Sequence, residues 1–86
     1  MSVMFEVSYA QPEDADRERR IAECASRYGG LVTFREVGGQ WPDQSVCLTI
    51  EFWTWETAEA AAAELCKSGE HVGVKCEYGS TPPGEP

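Results

Sequence analysis

Four segments of the chain alternate apolar and polar residues with a period of two, which is typical of β-strands with one buried face. The pattern is clearest over Val46–Trp53, where every second residue is apolar. Weaker versions run over Val3–Tyr9, Leu31–Val37 and Val72–Tyr78. The sequence therefore predicts four strands, each half buried.

The phase of each pattern predicts which side chains enter the core. In the second strand the expected inward pair is Val32 and Phe34. In the fourth strand Val74 and Cys76 are expected to point inward. Because neighbouring residues of a strand face opposite sides, Cys47 and its alternate neighbours should lie on the open face of the third strand.

Two helices are predicted between the strands. The first begins near Pro12, which suits the first helical position because its missing N–H is not needed there, and ends at Gly29-Gly30. The second follows the N-cap residue Thr54 and stops near Gly69. Apolar residues recur at helical spacing along both, as Ile21, Cys24, Ala25 and Tyr28 in the first and Trp55, Ala58, Ala62 and Leu65 in the second.

The element order strand, helix, strand, strand, helix, strand indicates an α+β fold, a ferredoxin-like βαββαβ sandwich. Right-handed crossovers would give a four-stranded antiparallel sheet in the order 4-1-3-2, with both helices on one face. A swapped dimer of the same elements and an α/β fragment are alternatives that fit this chain length less well. We expect one domain over residues 1–78 and a disordered tail over the Pro- and Gly-rich residues 79–86.

The charge and the apolar content of the sequence disfavour some classes of function. Fifteen acidic and seven basic residues give a net charge of −8, so the surface should repel nucleic acids and anionic membranes. Arg17, Arg19 and Arg20 are interleaved with acids and fit a solvated helix face. The chain shows neither a signal-peptide pattern nor an apolar run of about 20 residues, so we expect a soluble, cytoplasmic protein.

One stretch resembles a known family. Val46–Phe52, followed by Glu56, Ala58 and the Ala60–Ala63 run, is similar to the third strand and second helix of an RNA-recognition motif. ACT-type regulatory domains share this architecture. The resemblance implies the ferredoxin-like fold. It argues against RNA binding, because RNA-recognition motifs carry stacking aromatic residues on the open face, where this strand has Cys47, Thr49 and Glu51.

Catalytic and metal-binding patterns are absent from the sequence. The cysteines form no CxxC pair and have no zinc-ligand spacing, and His71 is the one histidine. No phosphate-binding or nucleophile motif is present, so we expect no cofactor, no metal and no catalytic residue. Among the cysteines, Cys47 is the one expected on the open face and the one to test for reactivity.

Two regions are candidate binding sites. Loops at one end of the sandwich would bring Trp41, Asp43 and His71 together, either as a small-molecule or cation site or as an exposed loop with a solvated histidine. On the open face, Trp53 could join Met4, Leu31 and Cys47 in an apolar patch, or merely shield the end of the sheet. The patch would suit a homodimer or another protein partner.

The first functional hypothesis is therefore a non-enzymatic interaction or regulatory module, homodimeric through the open face or an edge strand. The alternative is a small-molecule or cation-binding domain, or a small enzyme, that uses the acidic loop end with Trp41, Asp43 and His71.

Overall fold

A computed structural model of the chain describes residues 2–38 and 45–78, apart from the side chain of Tyr78. The predicted tail over residues 79–86 lies outside this range. In chain order the elements are β1 (Ser2–Ala10), α1 (Ala15–Arg27), β2 (Leu31–Val37), β3 (Ser45–Phe52), α2 (Trp55–Lys67), β4 (His71–Val72) and β5 (Cys76–Tyr78). Within these residues, neither helix is long and apolar enough to cross a membrane.

The strands form one antiparallel sheet in the order β2-β3-β1-β4, and β5 continues the β4 edge by pairing with β1. Helices α1 and α2 pack on one face of this sheet and against each other. The predicted ferredoxin-like α+β arrangement, including the strand order 4-1-3-2, is confirmed. Among the described residues, no helix or strand packs against the other face of the sheet, which is the open face.

The core lies between the sheet and the helices. Alternate residues of β1 and β3 are buried, and the Phe5 and Phe52 rings stack with their centroids 5.3 Å apart. Each large apolar side chain buried in this way stabilises the fold by about 1.5–3 kcal/mol. The predicted helical stripes supply Ile21, Cys24 and Ala25 from α1 and Ala58, Ala61, Ala62 and Leu65 from α2.

Polar caps and glycines fix the helix ends. Asp14, rather than Pro12, defines the start of α1, because its carboxylate accepts a hydrogen bond from the Arg17 backbone N–H at 3.0 Å. Thr54 caps α2 as predicted. Gly29 and Gly69 follow the helices with positive φ of 79° and 92°, which glycine adopts without steric cost.

The expected inward position of Phe34 is wrong. Val32 pairs with Ile50 and faces the helices, but the next pair is Phe34 with Thr49, so the register shifts at Thr33. A bulge of one residue moves every later side chain of the strand to the opposite face. Phe34 therefore lies exposed on the open face, while Arg35 turns toward the helices.

The fourth predicted strand is also divided. Val72 pairs with Val7 in β4, whereas Cys76 pairs with Met4 in β5, so one extra residue lies between the two pairings. The Gly73 backbone N–H still donates to Glu6 O at 2.7 Å before the chain leaves the sheet. Val74 and Cys76 are consequently exposed, and the expectation that they point inward is wrong.

Trp55 departs from the predicted core stripe of α2 as well. It is 42% exposed in the first turn, and its Nε1 donates a hydrogen bond of 2.8 Å to Glu59 one turn later. The buried positions of α2 begin at Ala58, one turn after Trp55.

Candidate interaction surface on the open face of the sheet

The open face is organised in rows that run across the strands. In the first row Leu31, Glu51, Met4 and Cys76 are successive cross-strand partners from β2 to β5. Side chains directly opposite each other in such a sheet have Cβ atoms about 4.5–5.5 Å apart. An apolar, an acidic and a second apolar side chain are thus adjacent in one row.

Two further rows follow toward the other end of the sheet. The second row consists of Phe34, Thr49 and Glu6. The third consists of Glu36, Cys47, Ser8 and His71. Apolar and acidic side chains therefore alternate over the face, and the paired positions in all three rows hold no Lys or Arg.

Large apolar side chains are exposed on and beside this face. The exposed fractions are 68% for Leu31, 60% for Phe34, 79% for Trp53 and 84% for Val74. Scattered exposed apolar residues are ordinary, whereas a contiguous group marks a contact surface. These four, together with Met4, border a single sheet face.

Two shallow hollows lie among these side chains. One, of about 140 Å³, is lined by residues that include Leu31, Glu51 and Trp53. The other, of about 310 Å³, is lined by residues that include Met4, Glu6 and Val74. Both place a carboxylate beside apolar walls, which suits a ligand group that combines apolar surface with positive charge.

The carboxylates of the open face form no ion pairs within the described residues. Glu6 and Glu51 lie on adjacent strands as diagonal neighbours, because Glu51 pairs with Met4, two residues before Glu6. Diagonal neighbours are about 7–8 Å apart. Glu36 adds a third negative charge on β2.

On the helix-covered side, by contrast, five carboxylates form ion pairs with arginines. Arg35 donates to Glu18 at 2.7 Å and to Glu13 at 2.6 Å. Arg17 pairs with Glu70 at 3.0 Å. A further pair joins the two helices through Arg27 and Glu64. Four of the five arginines are therefore engaged with acids on the helix side: Arg17, Arg19, Arg27 and Arg35.

The Glu18 carboxylate is central to one network on that side. It accepts hydrogen bonds from Arg35 and from the hydroxyl of Tyr9, which in turn accepts from the Asp14 backbone N–H at 2.8 Å. The bonds from Arg35 and Tyr9 lower the pKa of Glu18. Burial and the adjacent carboxylate raise the pKa of Tyr9. This network joins the end of β1 to α1 and β2.

The predicted loop-end site is only partly within the described residues. Trp41 and Asp43 lie outside them. His71 is exposed in β4 opposite Ser8. Nearby, Glu13 is paired with Arg35 and Glu70 with Arg17, so these carboxylates already have cationic partners. The described residues contain no group of three or more His, Cys, Asp or Glu side chains that could hold a metal ion.

The cysteines occupy different surroundings. Cys24 is buried in the core, and burial raises the pKa of its thiol. Cys66 is exposed on α2. Cys47 is half buried on the open face opposite Ser8, and Cys76 is exposed on the same face opposite Met4. The sequence analysis thus missed Cys76, Phe34 and Val74 as open-face residues, because the register shifts that place them leave no local sequence signal.

Comparisons with known proteins bear on the fold alone. No family model matches the chain, and no curated protein matches it. Among solved structures, the de novo designed protein Foldit4 is similar, with a TM-score of 0.62 at 17% sequence identity. The match covers 90% of this chain and 96% of that one. This likeness shows a shared α+β architecture, which by itself implies no activity.

Proposed function

We propose that this domain is a non-enzymatic protein-interaction module whose contact surface is the open face of its sheet. The observation that carries the proposal is the exposure of Leu31, Phe34 and Trp53 beside one uncovered sheet face. Covering such side chains on association would stabilise a complex by roughly 25 cal/mol per Å² of apolar surface, before the costs of association are subtracted.

The arrangement of polar residues supports the same conclusion. Five acids on the helix side are held in ion pairs with arginines, and among the described residues no hydrogen bond joins the exposed His71 to Ser8 opposite it. The open face instead combines apolar side chains with carboxylates that form no ion pair within the described part of the chain. Such a mixture is typical of interfaces with a partly apolar centre and polar surroundings.

A photo-crosslinking experiment tests this function. The photoreactive amino acid p-benzoylphenylalanine would replace Phe34, and in a matched control it would replace Trp55, an exposed aromatic residue on the helix side. In the cells that normally produce the protein, we expect covalent protein adducts at position 34 and few at position 55. Equal yields at the two positions would contradict the proposal.

A further inference from the structure

We infer that the partner of the open face is a cationic amphipathic helix of another polypeptide, rather than a second copy of this chain. The inference rests on the proposed function and specifies the occupant of the same surface. It follows from the charge, the area and the layer arrangement of the face.

Charge is the first argument. Glu6, Glu36 and Glu51 lie on the face without cationic partners among the described residues. Two copies stacked through this face would bring six carboxylates together at an interface with no Lys or Arg in its paired rows. Like charges juxtaposed across an interface disfavour the complex, whereas Lys or Arg side chains from a partner would complement these acids.

Segments of the chain outside the described residues lack this complementarity. Residues 39–44 and 79–86 contain no Lys or Arg and contribute two further acids, Asp43 and Glu85. Neither segment could neutralise Glu6 and Glu51. Lys75, between Val74 and Cys76, supplies one positive charge beside the three carboxylates, and a partner would supply the rest.

The area of the face is the second argument. With strands about 4.8 Å apart and a rise of about 3.3 Å per residue, the three longer strands and the two short edge strands cover roughly 450 Å². A single helix about 10 Å wide and about 26 Å long, or roughly 17 residues, fits the face lengthwise.

The third argument, that the partner is a helix, comes from how the opposite face of the sheet is covered. The opposite face of the same sheet is covered by two helices, which is the standard way to bury a sheet face in α+β folds. A third helix would place its apolar stripe against Leu31 and Phe34, the exposed large apolar residues of β2 on this face. Lysines flanking that stripe would reach Glu51 and Glu6, which lie in the first two rows.

Titration with a synthetic peptide tests the inference. The probe is a peptide of about 18 residues built of Leu and Lys, with the leucines on one helical face. Amide shifts of the ¹⁵N-labelled protein should concentrate in β1, β2 and β3 at open-face positions. A peptide with Glu in place of Lys, and a scrambled Leu-Lys peptide of equal composition, should bind at least tenfold more weakly.

Matched variants separate a specific site from general attraction to an acidic protein. Changing Glu6→Gln together with Glu51→Gln should weaken binding about fivefold. Glu23→Gln with Glu56→Gln removes the same charge from exposed helix-side positions and should change affinity less than twofold. Equal weakening by the two pairs, or shifts centred on α1 and α2, would overturn the inference.

The two proposals fail in distinguishable ways. If crosslinks at position 34 join two copies of this chain, and sedimentation shows a dimer that Phe34→Arg dissociates, the interaction surface stands and the inferred partner is wrong. If position 34 yields no more adducts than position 55, the interaction function itself is wrong. Circular dichroism of each variant confirms that the fold is unchanged before binding is compared.

Discussion

The two faces of this sheet are formed by the same strands, yet they differ in how far their side chains are buried and in how their acids are paired. Toward the helices, Val3, Phe5, Leu48 and Ile50 are buried, and five acids form ion pairs with arginines. On the open side, Leu31 and Phe34 are exposed and the acids have no cationic partners among the described residues. The difference indicates that one face holds the fold together, while the other can change with little effect on stability.

The largest expected effect comes from truncating the buried face. Ile50→Ala removes a fully buried side chain from the centre of β3 and leaves a cavity, so unfolding free energy should fall by about 3–4 kcal/mol. Its neighbour Thr49 faces the open side, and Thr49→Ala should cost less than about 1 kcal/mol. Urea unfolding measures both. Similar losses at the two positions would mean that the faces are not distinct.

Adding a methyl group at a glycine on each side of the sheet compares the same two faces. A Cβ on Gly30 would lie 2.7 Å from Cζ of the buried Phe52 ring, so Gly30→Ala should destabilise the protein by about 1–3 kcal/mol. At Gly73, beside the open-face hollow, the nearest atom to an added Cβ is Glu6 O at 3.5 Å, an ordinary contact. Gly73→Ala should change stability by less than about 1 kcal/mol. Thermal unfolding of both variants checks the difference.

The ion-pair network on the helix side should have a smaller, pH-dependent effect. Glu18→Gln weakens the bonds to Arg35 and Tyr9, and should cost about 1–2 kcal/mol at neutral pH. Because folding lowers the pKa of Glu18, its ionised form adds stability above the pKa of the unfolded chain. That contribution is lost as the pH falls through the lowered pKa. Urea unfolding at several pH values should therefore show the difference from wild type shrinking in acid, and a constant difference would contradict this assignment.

The smallest effect on stability is expected at Phe34. Phe34→Ser removes an exposed ring from the open face and should change unfolding free energy by no more than about 0.5 kcal/mol. Peptide binding by the same variant should nevertheless weaken about tenfold. Urea unfolding and the peptide titration together test this separation, and a large loss of stability would place Phe34 in the structural core instead.

Periodicity predicted the architecture because the buried residues of β1, β3 and both helices follow regular spacing. Apolar alternation in β3 and the cap at Thr54 are local signals, and the structure matches them. The open face was harder to predict. Phe34 and Cys76 change sides at one-residue register shifts, which depend on how the partner strand pairs rather than on the residues themselves.

Arg35 has a consequence for the open face although its side chain points away from it. Within the described residues β2 pairs with β3 alone, and the Arg35 bonds to Glu18 of α1 and to Glu13 just before that helix give the strand a second attachment. Losing them should speed amide hydrogen exchange along β2 before the rest of the sheet opens. When β2 detaches, Leu31 and Phe34 leave the sheet with it. The Arg35 ion pairs on the helix side therefore affect how often these two side chains are in place on the open face.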